Sequence, residues 1–177
     1  MKKSLSFQQF SGFVFTGILG VLLHFLFEWT NESIIVAPFS AVNESIWEHM
    51  KLLFFPMFIF DLVQSKYNGE KYKNFWCVVL IGTVIGVLLI PVMYYTIRGI
   101  FGQIPDFVNI IIFFVANAIG YFVKARLFKG DRINCKSSKM AFVVLCFIVL
   151  AFAILTFVPP HIPLFEDPLT NSYGIYK

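Results

Sequence analysis

The sequence predicts an all-α protein, a polytopic integral membrane bundle of five transmembrane helices. Of its 177 residues, 58% are hydrophobic and only 14% are charged, and the mean hydropathy is +0.78. A soluble domain averages about 45–50% apolar and roughly 25% charged residues, so this composition excludes an ordinary globular domain and a disordered chain. The net charge of +4 does not indicate nucleic acid as a partner. The basic residues fall in short loops between apolar runs, which is typical of a protein whose partner is the lipid bilayer.

Five apolar stretches are long enough to cross a bilayer, which needs about 20 mostly apolar residues in a helix. Backbone polar groups in lipid must be satisfied within the segment, and no window alternates with period two over enough residues for a barrel. The stretches are therefore predicted to be helices. The predicted spans are residues 11–29, 46–64, 74–96, 106–124 and 140–158.

The first span is predicted to be retained and not cleaved as a signal peptide. Lys2 and Lys3 supply a basic start, but no small-residue cleavage site follows the apolar run. His24 and Glu28 close the run instead.

The second span is the least hydrophobic of the five. Glu48, His49 and Lys51 lie in its first turns and Asp61 lies near its end. Lys51 is expected to extend towards the outer head groups, as long cationic side chains near helix ends do.

Small and amide residues in the third and fourth spans predict helix packing. Gly82 and Gly86 form a G-x-x-x-G face, which packs either within the chain or between protomers of an oligomer. Asn109 and Asn117 are eight residues apart on the fourth span, where hydrogen bonding between helices is favoured over a transport path.

The chain divides after the fifth span, into a transmembrane domain over residues 1–158 and an extracytoplasmic tail over residues 159–177. Four prolines in the tail prevent a regular helix. Ile162, Leu164 and Phe165 are too apolar for a free terminus. The tail is therefore expected to fold back over the outer mouth of the bundle.

The distribution of basic residues predicts the orientation, because cytoplasmic loops carry an excess of Lys and Arg. Eleven of the 14 basic residues fall in inner segments if the N-terminus is inside, whereas Arg98 and Lys177 fall in outer ones. We therefore predict a multi-pass protein of the cell membrane with its C-terminus outside. The inner basic residues are Lys2, Lys3, Lys66, Lys71, Lys73, Lys124, Arg126, Lys129, Arg132, Lys136 and Lys139.

A stripe of small and ionisable residues on the first helix is predicted to face the bundle. Gly17, Gly20, His24 and Glu28 follow spacings of three, four and four, so they lie on one helix face. Small residues in membrane helices mark close packing. An ionisable residue inside the bilayer is costly, which makes His24 a candidate functional residue.

Further polar residues gather on the predicted outer side. Glu44 and Glu48 are four apart at the start of the second helix, with His49 adjacent. Helical bundles build metal sites from inward-facing carboxylates and imidazoles, and a Glu–His pair can also perform general acid–base chemistry. The predicted ligand-binding residues are His24, Glu28, Asn43, Glu44, Glu48, His49, His161 and Asp167.

A divalent metal such as zinc is the cofactor that this pattern fits. Its predicted ligands are His24, Glu28, Glu48 and His49, with Glu44 at the rim. Such an ion would polarise a carbonyl or phosphoryl oxygen, and Glu48 and His49 are the catalytic candidates.

Several of these residues also have a structural interpretation. Ser45 and Glu48 fit a capping box at the start of a helix, and Asn43 is an alternative cap. Glu28 fits a solvated charge at a helix end. His24 fits a neutral imidazole that is hydrogen-bonded to a neighbouring helix.

Three segments carry a specific pattern: residues 23–29 (LHFLFEW), 39–52 (FSAVNESIWEHMKL) and 159–174 (PPHIPLFEDPLTNSYG). Together they resemble an uncharacterised family of small five-helix bacterial membrane proteins, a domain of unknown function. The resemblance runs over nearly the whole chain. It implies a five-helix polytopic protein, and it supplies no activity, cofactor or catalytic residue.

Three functions remain open from the sequence. The first is a site that binds a small ligand, a lipid or other amphiphile, or a metal, with or without catalysis. The second is a carrier or channel for a cation or small solute, and the third is a non-catalytic assembly partner whose polar cluster locks the tail onto the bundle. A transport path needs polar residues across the whole bilayer, and only Asp61, Asn109 and Asn117 lie below the cluster. The binding site is therefore favoured.

Overall fold

The computed structural model describes residues 5–130, 135 and 137–175, which form five α-helices and no strand. The predicted all-α class is confirmed, and each predicted span overlaps one helix. Several helices continue beyond the apolar windows because polar residues at their ends remain helical. The helices are α1 (Leu5–Trp29), α2 (Ile46–Asn68), α3 (Phe75–Phe101), α4 (Asp106–Lys129) and α5 (Ser138–Phe157).

Helix α2 lies at the centre of the bundle and packs against each of the other four helices. It runs antiparallel to α1, because Asn68 contacts Gln8 at one end and His49 contacts His24 at the other. We call the end that carries the connection between α1 and α2 and the C-terminal segment 158–175 the tail end. The opposite end, which carries the connections from α2 to α3 and from α4 to α5, is the far end.

Glycines allow α3 and α4 to approach closely. A Cβ atom at Gly82 would lie 3.0 Å from the carbonyl oxygen of Gly120, and one at Gly86 would lie 3.1 Å from that of Ala116. The G-x-x-x-G face is therefore used within the chain, the first of the two predicted alternatives. An oligomer through Gly82 and Gly86 stays a prediction.

Two ion pairs neutralise the buried charged side chains of α2, which are Glu48, Lys51 and Asp61. In the first, Nζ of Lys51 lies 2.5 Å from Oε2 of Glu48, and the two side chains are 0% and 2% exposed. Lys51 also donates to the carbonyl oxygen of Ala37 and to Oγ1 of Thr156, both at 2.9 Å. The expectation that Lys51 extends to the head groups is wrong, because all three of its donors have partners inside the protein.

The second ion pair joins α2 to α4. Nζ of Lys124 lies 2.6 Å from Oδ2 of Asp61, and both side chains are fully buried. The ammonium group also lies 4.7 Å from the ring centroid of Tyr121, whose hydroxyl group is 2.9 Å from Oγ1 of Thr16 in α1. Lys124 is therefore an internal cation, and its assignment to the inner loop in the orientation argument is wrong.

Within the described residues, four helices are long and apolar enough to cross a membrane: α1, α3, α4 (over Phe107–Lys129) and α5. These four expose large apolar side chains, such as Phe10 at 62% and Phe147 at 65%. Helix α2 is less apolar, and 13 of its 23 residues are buried. By length and hydropathy, four of the described helices could cross a membrane, and the exception is α2, which packs against all four.

Cysteines meet at the far end of the bundle. Cys77 near the start of α3 is paired with Cys135 in the connection between α4 and α5, and their Cα atoms are 6.4 Å apart. This pairing is not predicted by the sequence, because the two cysteines are 58 positions apart and all of α4 lies between them.

The C-terminal tail packs against the start of α2, close to the last turns of α5. The backbone N–H of Trp47 donates to the carbonyl oxygen of Leu164 at 3.0 Å. The Trp47 ring lies between Phe165 and Phe152, with both centroid separations at 4.5 Å. Phe165 is 5% exposed, whereas Ile162 remains 47% exposed. The aromatic stack therefore anchors the tail to α2 and α5.

We predict that removing one partner of the Asp61–Lys124 pair is more destabilising than removing both. Lys124→Met should lower the stability in detergent by about 3–5 kcal/mol because it leaves a buried carboxylate uncompensated. The double variant Asp61→Leu/Lys124→Met should recover most of that loss. Melting temperatures measure the difference, and Lys129→Met, which changes an exposed lysine of α4, serves as the control. Equal melting temperatures for the single variant and the wild type would contradict this account.

The tail should be held chiefly by Phe165. Phe165→Ala should destabilise the tail by about 3–5 kcal/mol, the usual cost of deleting a buried phenylalanine ring. Limited proteolysis should then cleave the variant within residues 159–175. Leu169→Ala changes a side chain that is 74% exposed and should leave the tail resistant. Equal cleavage of both variants would show that the stack does not hold the tail.

Candidate functional site

His24 reaches the interior of the tail end because small residues bring α1 close to its neighbours. Gly17 and Gly20 are buried, and a Cβ atom at Gly20 would lie 3.0 Å from the carbonyl oxygen of Leu52 in α2. His24 lies one turn further along this face and is 28% exposed. The stripe ends there, since Glu28 is exposed.

Ser45 is the N-cap of α2, and Asn43, the alternative cap, holds the turn that precedes it. Oγ of Ser45 accepts from the backbone N–H of Glu48 at 3.4 Å, and Oδ1 of Asn43 accepts from the N–H of Ser45 at 2.9 Å. Glu44 therefore precedes the helix. The i, i+4 relation between Glu44 and Glu48 does not apply, and the two carboxylates take separate partners.

Glu44 lies between the two histidines. One of its carboxylate oxygens is 3.6 Å from Nε2 of His24, and the other is 3.6 Å from Nε2 of His49. The imidazole centroids are 5.8 Å apart. These separations are longer than the 2.7–3.2 Å that is typical of N–H···O hydrogen bonds. The three side chains thus converge without bonding directly to one another.

The tautomer of His49 is set by its backbone partner. Nδ1 of His49 lies 2.9 Å from the carbonyl oxygen of Ser45, which can only accept a hydrogen bond. Nδ1 is therefore the protonated nitrogen, and Nε2 of the neutral ring presents its lone pair towards Glu44 and His24. Histidines that bind metals commonly donate their other ring N–H in this way.

The cluster has the composition and spacing of a metal site. His24, Glu44 and His49 each offer one ligand atom, and these atoms all lie within 4.8 Å of one another. Zinc bonds of about 2.0–2.2 Å in a tetrahedral arrangement place ligand atoms about 3.4 Å apart. Metal binding would therefore need the two imidazoles and the Glu44 carboxylate to move closer together. Three protein ligands would leave a fourth position open.

A cavity of about 220 Å³ lies beside the cluster, between α1, α2 and α4. His24, Glu44, His49 and Asn109 supply its polar atoms. Nδ1 of His24 and Oδ1 of Asn109 are buried without a hydrogen-bond partner among the described residues. The sequence indicated an interhelical hydrogen bond for Asn109, but in the structure this residue lines the cavity. The sequence contains no pattern that would have predicted this position.

Glu48, Asn43 and Glu28, which the sequence grouped with the ligands, lie elsewhere. Glu48 pairs with Lys51 and accepts from the backbone N–H of Val42 at 3.1 Å, so its carboxylate is engaged inside the protein. Nδ2 of Asn43 donates to the carbonyl oxygen of Gly174 at 3.0 Å, and this bond holds the tail against the connection between α1 and α2. The structure therefore gives Glu48 and Asn43 structural partners, and it leaves Glu28 at the surface.

The tail residues His161 and Asp167 do not line the cavity. The carboxylate of Asp167 accepts from the N–H of Leu169 and from the hydroxyl group of Thr170, both at 2.9 Å. The ring of His161 packs against Tyr173, with a centroid separation of 4.6 Å. Both residues stabilise the fold of the tail, because each contacts a partner within it.

Comparison with known proteins gives one match. Residues 6–175 match a family described as a family of unknown function (DUF6512). No curated protein and no solved structure matches the chain. Because the match covers nearly all of the sequence, the five helices, the cluster and the tail all lie within it, and the chain belongs to the DUF6512 family of unknown function.

Proposed function

We propose that the protein is a membrane-embedded binding protein for a divalent transition metal, with zinc as the best fit. Its ligands are His24, Glu44 and His49. The observation that carries the proposal is the fixed tautomer of His49, whose Nε2 lone pair is directed at two further potential ligands. Glu44 replaces Glu28 and Glu48 in the ligand set that the sequence indicates.

The membrane setting includes α2 as a fifth span. Its 23 residues extend about 34 Å at 1.5 Å per residue, which exceeds a hydrocarbon core of about 30 Å. Its charged residues are compatible with this position because ion pairs inside the bundle satisfy them. A helix enclosed by four apolar helices need not be apolar itself.

The exposed charges support an orientation with the far end in the cytoplasm. Among the described residues, Arg98 is the exposed basic residue of the tail end. Lys2, Lys3, Arg132, Lys136 and Lys177 lie outside the described residues. The exposed basic residues of the far end are Lys66, Lys71, Lys73, Arg126, Lys129 and Lys139.

The two alternative functions receive less support. For a carrier or channel, the polar groups deeper in the bundle join helices: Asp61 binds Lys124, and Nδ2 of Asn117 donates to the carbonyl oxygen of Phe13 at 3.0 Å. Such contacts are typical of structural polar groups in membranes. For an assembly role, the polar residues would have to lock the tail. Asn43 does bind it, together with Trp47, whereas His24, Glu44 and His49 converge on one another beside the cavity.

We predict that the tail end is outside and the far end inside. Single cysteines are introduced at Lys71 or Leu169, both exposed, in a background with Cys77, Cys135 and Cys146 replaced by alanine. A membrane-impermeant maleimide should label the Leu169 position in intact cells and the Lys71 position only after permeabilisation. Labelling of both positions in intact cells would contradict the five-span arrangement.

The metal proposal predicts about one zinc ion per chain in protein purified in detergent without an affinity tag. His24→Ala, Glu44→Gln and His49→Ala should each lose most of it, because three ligands are needed to hold the ion. Glu28→Gln and His161→Ala should retain it, since neither residue lies in the cluster.

Elemental analysis after loading with Zn²⁺ and gel filtration gives the metal content, and melting temperatures show whether each variant is folded. Wild-type protein that emerges without zinc would overturn the proposal. The same holds if folded His49→Ala protein retains as much zinc as the wild type.

A further inference from the structure

We infer that the cavity beside the cluster binds one long-chain fatty carboxylate that enters from the bilayer, with its carboxylate on the metal and its alkyl chain between α1 and α4. The inference rests on the metal site proposed above for the head group. It also rests on three properties of the cavity that do not depend on a metal: its opening, its size and its unpaired polar atoms.

The cavity opens towards lipid. Val21 and Phe25 of α1 and Ile110 and Phe114 of α4 line it, and they are 44%, 41%, 58% and 37% exposed. Both helices are among the four that are apolar enough to cross a membrane, so their exposed faces lie against acyl chains. An apolar ligand could reach the cavity from the bilayer without passing through water.

The size of the cavity favours a single alkyl chain. Pockets for drug-sized ligands occupy about 300–1,000 Å³, whereas this cavity has about 220 Å³. Part of one chain would fill it, and the remainder would extend between α1 and α4 into the bilayer. A two-chain lipid would have to leave its second chain outside.

The polar end of the cavity matches an oxyanion. Three protein ligands leave one position on zinc open, which an oxygen ligand can take. Oδ1 of Asn109 has no hydrogen-bond partner among the described residues, although buried polar atoms normally have one. Turning the Asn109 amide by 180° puts its NH₂ group in this place, where it can donate to the second oxygen of a carboxylate whose first oxygen is on the metal. The cavity thus has an apolar wall and a polar end, as an amphiphile requires.

The test uses a palmitate analogue with a photoreactive diazirine in its chain, incorporated into liposomes with the full-length, zinc-loaded protein. Crosslinking that excess palmitate displaces should map to α1 and α4 around Val21 and Ile110. Val21→Trp fills the cavity and should lower this saturable crosslinking about tenfold or more, since it excludes several methylene groups. Leu22→Trp is the matched control, because Leu22 is 46% exposed on the same helix but does not line the cavity.

The head group is tested with a palmityl alcohol analogue and with His49→Ala, both of which should reduce saturable crosslinking about tenfold or more if the carboxylate binds the metal. A phosphate-headed single-chain analogue should compete less well than palmitate. Equal crosslinking by the alcohol and the acid would overturn the assignment of a carboxylate.

The metal content of each sample separates the two proposals. If the wild type holds zinc but Val21→Trp and Leu22→Trp crosslink equally, the fatty-acid site is wrong and the metal site stands. If the wild type holds no zinc yet crosslinking still depends on Val21, the alkyl-chain site stands and the metal site is wrong. Uniform crosslinking along all lipid-facing helices would show ordinary bilayer contact and overturn the inference.

Discussion

The bundle depends on pairing the charges that α2 buries. Both ion pairs of this helix are buried away from solvent. An unpaired charge in such a buried position costs several kcal/mol. Each pair takes its remaining contacts from other elements: Lys51 binds Thr156 of α5, and Lys124 brings α4 against α2. The pairs therefore help to fix the positions of α4 and α5 relative to α2. They also explain how the most polar helix can be the central one in a protein with an apolar exterior.

The geometry of the candidate site follows from the first of these pairs. Glu48 accepts a hydrogen bond from Val42, and Lys51 donates one to Ala37. These contacts hold the connection between α1 and α2 against the bundle, which places Glu44 between the two imidazoles. Glu48 thus acts on the site as a positioning residue, although the sequence presents it as a ligand.

The site combines two environments that are normally separate. Glu44 is 42% exposed at the tail end, whereas the cavity is also lined by exposed apolar side chains of α1 and α4, two of the helices that are apolar enough to cross a membrane. The tail is attached on the other side of the start of α2, through Trp47 and Asn43, and it leaves the cavity uncovered. In the proposed membrane setting, the polar side and the apolar side of the cavity meet at His24, Glu44 and His49. That arrangement suits an amphiphile better than it suits a wholly soluble or wholly apolar molecule.

The sequence by itself determined the helical class, the approximate helix positions and the family, because apolar runs and local motifs depend only on neighbouring residues. It also indicated His24, Glu44 and His49 among the ligand-binding residues, because they are polar residues at the predicted outer ends of the first two helices. Only the tertiary structure decided which carboxylate meets which cation. Lys124, the partner of Asp61, is 63 residues away in the chain. A carboxylate that is paired with a buried lysine is not free to bind another ligand, even if its position in the sequence indicates a ligand. Sequence spacing shows on which face of a helix a residue lies, but tertiary packing decides which element that face contacts. This packing separated Glu48 from the site and brought Glu44 into it.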